Sequence, residues 1–404
     1  MRLLHVASEY PPQKVFGLGR YVSDLSEELA AQGHEVRVLT NSIAGRDADV
    51  VQSGVHVHRV DFPPPPKPPG AVAPVMAFNL QLQKLSHRLG RKELGEPEAI
   101  VSHDWLTALA GHRISRRWSV PHVWTVHDLV HGKTFGRLQE PGDRSISDLE
   151  SWAAGAADLI LANSQAIFRE LVEVYKADPA RIRLLPCAIH AERLLSKQAS
   201  SRLKAFRLVF AGPEELLITY VGRLDLEKGI DTLINAFCRV HKEVPKTRLA
   251  IVGTGVLEET IRRHIDQLRL QDSVALYGYL RGETLRGFYA VSDVHVCPSH
   301  YEPFGLVAAE AMAAGTAVVV SDAGGLAEII TSDDIGRRVP ARNVDALARA
   351  LLELARDPAL RARVAQQGQT HVREHFAWAE AARKAVQFYG EANCGSGDKA
   401  RTRQ

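Results

Sequence analysis

The sequence predicts an α/β protein built as two doubly wound, Rossmann-like domains, each a parallel sheet with helices on both faces. Length is the first reason: 404 residues exceed what one hydrophobic core usually supports. The second is pattern. Short apolar runs alternate with amphipathic helical stretches along the chain, as strands buried on both faces require. The third is placement: the stretches with chemical character follow apolar runs, at the carboxyl ends of parallel strands, where such sheets gather their ligands.

In the first half, the run at 3–7 leads through a glycine loop into a helix at 21–32. Gly33-His34 closes that helix, and a strand follows at 35–40. Further strands are expected at 55–60, 99–102, 122–126 and 159–162, and the pattern resumes at 216–221, 248–252, 274–277, 294–297 and 317–320. The break near 187–212 gives an N-terminal domain over 1–190 and a C-terminal domain over 191–375. Phe376, Trp378 and Tyr389 mark a last helix at about 376–392, and residues 393–404, small, polar and basic, read as a disordered tail. The proline run at 62–70 is a stiff, polyproline-like connection. Within 75–94, Met76, Leu82, Leu85 and Leu89 share one helical face, with Lys84, Arg88, Arg91 and Lys92 opposite. Such a helix either lies on an anionic membrane or, more commonly, packs its apolar face on the core.

Composition narrows the class. With 45% hydrophobic and 24% charged residues the chain reads as a soluble globular protein. A net charge of +3 gives no reason to expect nucleic acid as a partner. Cys187, Cys238, Cys297 and Cys394 lack the CxxC spacing of a zinc site and form no disulfide framework, which fits a reducing, cytoplasmic setting. The first residues are too short an apolar run for a signal peptide or a membrane span.

The most informative stretch runs from Ser299 to Ala323. Glu302 sits in a Pro/Gly loop, and eight residues later Glu310 lies inside an Ala-rich helix opened by Phe304-Gly305. A helix start has unpaired N–H groups and a partial positive charge, so the amides near Gly305, Leu306 and Val307 can hold a phosphate. Carboxylates on either side of that anion site can accept hydrogen bonds from sugar hydroxyls. Arg223 and Lys228, in Val221-Gly-Arg-Leu-Asp-Leu-Glu-Lys-Gly229, add a bidentate guanidinium and a mobile ammonium after another buried strand. Gly253 and Gly255 form a GxG turn able to approach a nucleotide. In the first half, Gly17 and Gly19 open a helix after the first strand, and His127 ends the strand at 122–126, where its ring can bond a sugar hydroxyl. Trp105, in Ser102-His-Asp-Trp105, offers an aromatic face for a sugar ring or a core anchor.

Together these residues resemble the retaining GT-B glycosyltransferases of the GT4 type, the family of the bacterial and archaeal glycogen (starch) synthases. Glu302 to Glu310 matches the family's Glu-x7-Glu signature, and Arg223 with Lys228 its Gly-Arg…Lys-Gly element. The resemblance implies the GT-B fold, two Rossmann-like domains facing a central cleft, with the last helix crossing back onto the first domain. It implies a glycosyl group moved from a nucleoside diphosphate sugar to a carbohydrate or other hydroxyl acceptor with retained configuration. Arg223 and Lys228 would stabilise the diphosphate, Glu302 and His127 orient the sugar, and Glu310 hold the ribose. The backbone around Tyr279 and Leu280 would read the base, and His103, Asp104 and Trp105 lie on the acceptor side.

No metal clamp is apparent among these motifs, and two cations already supply the charge, so no metal or other cofactor is expected. The acceptor stays open. The loop Ser8 to Gly19 resembles that of glucan synthases, but Phe16 stands where their first glycine would be and Arg20 is also a departure. Hexosyl transfer to an α-glucan therefore stands beside lipid, small-molecule or other polysaccharide acceptors, mannosyl transfer included. A nucleotide-sugar epimerase or hydrolase can share the fold. A nicotinamide oxidoreductase is disfavoured for want of GxGxxG with its ribose-binding acid.

Overall fold

The computed structural model describes residues 1–12, 17–42, 49–60, 62, 72–195 and 200–401, with backbone alone at 200 and 394–401. Lys14, Phe16 and most of the proline run fall outside the described residues. The chain divides into two compact units, Met1–Ala188 with Trp378–Gln404, and Ile189–Ala377.

The first unit holds an eight-stranded sheet: β1 (Arg2–Val6), β2 (Glu35–Asn41), β3 (Val50–Gln52), β4 (Val55–Val60), β5 (Ala99–His103), β6 (His122–Val126), β7 (Leu159–Ala162) and β8 (Ile182–Leu184). Their order is β3-β4-β2-β1-β5-β6-β7-β8, parallel except for the β3–β4 pair. β1, β5 and β6 are apolar because they are buried on both faces. The helix Val72–Leu94 lays Phe78, Leu82, Leu85 and Leu89 on Leu4, Val6 and Ile100, leaving Lys84, Arg88, Arg91 and Lys92 exposed. The apolar face that a membrane would need is thus spent on the sheet. No described helix is long and apolar enough to cross a membrane.

The second unit holds β9 (Leu216–Val221), β10 (Thr247–Val252), β11 (Val274–Leu276), β12 (Val294–Cys297), β13 (Ala317–Ser321) and β14 (Arg337–Val339), all parallel, in the order β11-β10-β9-β12-β13-β14. Its core joins Ile218, Leu249, Val296 and Val319 to Leu233, Phe237, Leu347 and Leu351 from the flanking helices.

The last helix, Trp378–Arg401, belongs to the first unit. Trp378 and Tyr389 are buried, Trp378 lies edge-on to Tyr21 at 5.3 Å, and Arg183 Nε donates to Glu391 at 2.8 Å. The helix runs to Arg401, so it takes in most of the 393–404 segment that composition assigns to a disordered tail. Ala and the Lys and Arg of that segment favour helix, against its two glycines. Residues 402–404 lie outside the described residues.

Candidate active site

In the second unit the chain starts at mid-sheet. β9 comes first, β10 and β11 add on one side, and β12 returns to the other. The loops after β9 and β12 therefore leave the sheet side by side, at the switch point where ligands of doubly wound sheets bind. The first loop carries Arg223 and Lys228, the second Ser299 and Glu302. Backbone bonds tie them together: the amides of His300 and Tyr301 donate to the Glu227 carbonyl at 2.7 and 3.2 Å. Lys228 Nζ donates to Glu302 Oε2 at 2.9 Å, and Ser299 Oγ donates to the same oxygen at 3.1 Å. The Arg223 guanidinium bonds Asp225 and Glu227, and its side chain stays 39% exposed.

Gly305 stands at φ 106° directly before the helix Leu306–Ala313, and a Cβ there would lie 2.4 Å from Leu326 Cδ2. The angle favours glycine, and a larger residue would also have to displace the Leu326 side chain. Leu306 and Val307, half-buried, form the first turn, whose amides face away from any partner in the helix itself. One turn on, Glu310 is only 2% exposed and accepts a hydrogen bond from the Tyr289 hydroxyl at 2.9 Å. The Cys297 thiol, at the end of β12, is pushed up by burial, raised further by Glu302 and Glu310, and pulled down by Lys228.

The glycines of the 252–255 turn have a packing reason. A Cβ on Gly253 would lie 1.7 Å from the Gly222 carbonyl oxygen, and one on Gly255 2.4 Å from that of Leu224. This turn presses on the Arg223 loop and holds its course. Tyr279 is exposed, while Leu280 packs beside Phe210 and Phe288.

In the first unit the switch point lies between β1 and β5. Gly17 (exposed) and Gly19 (buried) begin the helix Gly17–Ala31 that follows β1. His127 follows β6 and is clamped from several sides. Its amide donates to Asp104 at 2.6 Å, its carbonyl accepts from Asn163 Nδ2 at 3.0 Å, and the Tyr21 ring meets its own edge-on at 4.6 Å. Its Nε2 lies 3.1 Å from His103 Nδ1. Burial lowers His127 to about 4, with Asp128 opposing the fall, so the ring is neutral at physiological pH.

His103, Asp104 and Trp105, expected on the acceptor side, are all buried in the first unit. His103 is fully buried, with its ring nitrogens facing those of His5 and His127. Asp104, held at φ 53°, is buried with its carboxylate on the His127 amide, and burial raises its pKa well above the usual range. Trp105 packs with Val75, Val130 and Ile146 as a core anchor. Three contributors were not singled out from sequence: His5, Ser299 and Tyr289. For His5 a signal existed, a histidine inside an otherwise apolar strand.

Two family descriptions match, Glycosyltransferase Family 4 over residues 15–193 and Glycosyl transferases group 1 over 203–371. A glycogen synthase of Mycobacterium tuberculosis is 33% identical over 98% of this chain and 96% of its own length. A D-inositol 3-phosphate glycosyltransferase of Xylanimonas cellulosilytica is 31% identical over 93% of this chain and 92% of its own. Among solved structures, the sucrose-phosphate synthase of Thermosynechococcus elongatus superposes with a TM-score of 0.83 at 27% identity, covering 97% of this chain and 99% of that one. The chain belongs to the GT4 family of glycosyltransferases and has the GT-B type of fold, with a parallel-sheet domain in each half.

Proposed function

We propose that the protein moves a hexosyl group, glucosyl in the first instance, from a nucleoside diphosphate sugar to a hydroxyl acceptor with retained configuration and without a metal. The observation that carries this is the switch point of the second unit. There the Lys228–Glu302 pair and Arg223 stand on loops that converge with the Gly305 helix start, one turn before the buried Glu310.

The chemistry is leaving-group departure. As the bond from the anomeric carbon to the diphosphate oxygen breaks, Arg223, Lys228 and the Gly305–Val307 amides stabilise the charge that develops on the diphosphate. The acceptor oxygen bonds the anomeric carbon, and its proton passes to a diphosphate oxygen on the same face. Glu302 orients the sugar while holding Lys228, His127 bonds a sugar hydroxyl, and Glu310 accepts from the ribose hydroxyls. The positive charge of two side chains takes the place of a metal.

An α-glucan is the first acceptor to test, in line with the glycogen synthase relative. A small phosphorylated polyol is the second, in line with the inositol phosphate transferase relative. The experiment is nucleoside diphosphate release from ADP-glucose, UDP-glucose and GDP-mannose, each alone, with glycogen and with inositol 3-phosphate, in EDTA. Release that requires glycogen names a glucan synthase and its donor. Release that requires inositol 3-phosphate moves the acceptor to the second class. Loss of release in EDTA, restored by a divalent cation, refutes metal independence. Free sugar or an epimer without acceptor refutes transfer. The anomeric configuration of the product, read by NMR, decides retention.

A further inference from the structure

The structure holds a row of three histidines, His5 and His103 fully buried and His127 half-buried at its end. His5 on β1, His103 at the end of β5 and His127 after β6 stand on three neighbouring strands. The sheet register pairs His5 with Val101 and His103 with Thr125. Each step therefore advances two residues toward the strand ends and keeps to one face of the sheet. His5 Nδ1 lies 3.1 Å from His103 Nε2, and His103 Nδ1 lies 3.1 Å from His127 Nε2. The rings lie edge to edge in nearly parallel planes, 16° and 27° apart, with centroids 5.4 Å apart in each pair. Tyr389 closes the His5 end edge-on at 6.3 Å, and Tyr21 lies against His103 and His127.

Burial keeps all three rings neutral: His5 falls to about 3, His127 to about 4, and His103 well below its ordinary value. A neutral imidazole has one N–H and one bare nitrogen, and each of the two bonds needs one of each. The middle ring then forces one direction on the row. Either every ring carries its proton on Nδ1, or every ring carries it on Nε2.

The far end breaks the tie. His5 Nε2 is buried and has no hydrogen-bond partner among the described residues. In the Nε2–H state it would be an N–H donor sealed from any acceptor, a rare and costly arrangement. In the Nδ1–H state it is a bare nitrogen, and the row's last proton emerges on His127 Nδ1. We infer that His5 and His103 are positioning residues that fix His127 as the Nδ1–H tautomer, so that His127 meets its ligand as a hydrogen-bond donor. That the ligand is a sugar oxygen rests on the transfer reading above; the tautomer does not. The group selected is an oxygen able to accept, such as a hydroxyl.

The test is a long-range proton–nitrogen correlation spectrum of the full chain labelled at histidine nitrogen, at neutral pH and without sugar. His5→Phe, His103→Phe and His127→Phe each remove one ring and assign the rest. The expected result is a bare Nε2 and a protonated Nδ1 at both His103 and His127. A protonated Nε2 at His127, or averaging between both tautomers, overturns the inference. In His5→Phe, His103 loses its donor, so His127 should become a tautomer mixture and nucleoside diphosphate release should fall about three- to ten-fold. An unchanged His127 pattern in that variant also overturns the inference. Should His5→Phe not fold, the wild-type spectrum decides alone. A protein with the expected spectrum that transfers no sugar refutes the transfer reading and leaves the histidine row standing.

Discussion

Lys228 and Glu302 lie 74 positions apart in sequence and 2.9 Å apart in space. Each holds the other in place, so under the proposed transfer the site needs little rearrangement when a donor arrives. Lys228→Met should lower donor turnover about 100- to 1,000-fold, as does loss of one preorganised charge-stabilising donor elsewhere, with donor KM moving far less. Steady-state nucleoside diphosphate release checks it, and a loss under about three-fold removes Lys228 from the leaving-group role. Tyr289 acts at one remove, because its hydroxyl bonds the buried Glu310 carboxylate. Tyr289→Phe takes a donor from a buried carboxyl, a change of about 1–3 kcal/mol, so nucleoside diphosphate should bind about 5- to 150-fold more weakly. Calorimetric titration of the diphosphate measures this directly. Glu302 and Glu310 could be singled out from sequence because a loop, a glycine and one helix bring them together within eight residues. Tyr289 could not, since nothing near it in the chain shows which residue its hydroxyl will meet.

Gly305 links the residues to the element they serve. Its φ of 106° strains any other residue, and an added Cβ, 2.4 Å from Leu326 Cδ2, would push that side chain aside. Gly305→Ala should cost about 1–3 kcal/mol of stability in the second unit and weaken diphosphate binding together with it. Chemical denaturation paired with diphosphate titration tests this; a destabilised variant that binds the diphosphate normally would separate the helix start from the anion site. At this scale the sequence was legible in proportion to burial. Eleven apolar runs correspond to strands of the two sheets, because parallel strands covered on both faces must be apolar throughout. The strands that escaped reading are β3, β8 and β14, each three residues long and at a sheet edge. Val50 and Val51 in β3 are exposed, and Arg183, Arg337 and Arg338 sit in the other two. An edge strand borrows its pairing from its neighbour and leaves little periodicity of its own. The site divides the same way. Loop motifs beside strand ends could be found, whereas the His5–His103–His127 row depends on sheet order, which the sequence does not spell out.

For the whole molecule, these buried histidines set how stability changes with pH. His5 and His122 fall to about 3 and His127 to about 4, while His103 drops well below its ordinary value, all because burial penalises the charged ring. All four belong to the first unit; the second holds one fully buried counterpart, His295, at about 3. Below the unfolded value of 6.5 the unfolded rings take up protons that the folded ones refuse, so stability is full above that value and drains as pH falls. Asp104 and Glu150, buried in the same unit with raised pKa values, act in the opposite sense: folded, they keep protons that the unfolded chain has released. Four histidines outweigh two carboxyls, a net of about two protons, so the first unit should lose about 2–3 kcal/mol per pH unit between about pH 6 and 4.5. The second, with one such ring, should lose about half as much. The five tryptophans, Trp105, Trp118, Trp124, Trp152 and Trp378, all lie in the first unit, so their fluorescence reports on it alone, whereas far-ultraviolet circular dichroism reports on both. On acid titration the fluorescence transition should come at the higher pH, with a second, dichroism-only step below it. Coincident transitions, or flat stability across this window, would show that protons do not distinguish the two units.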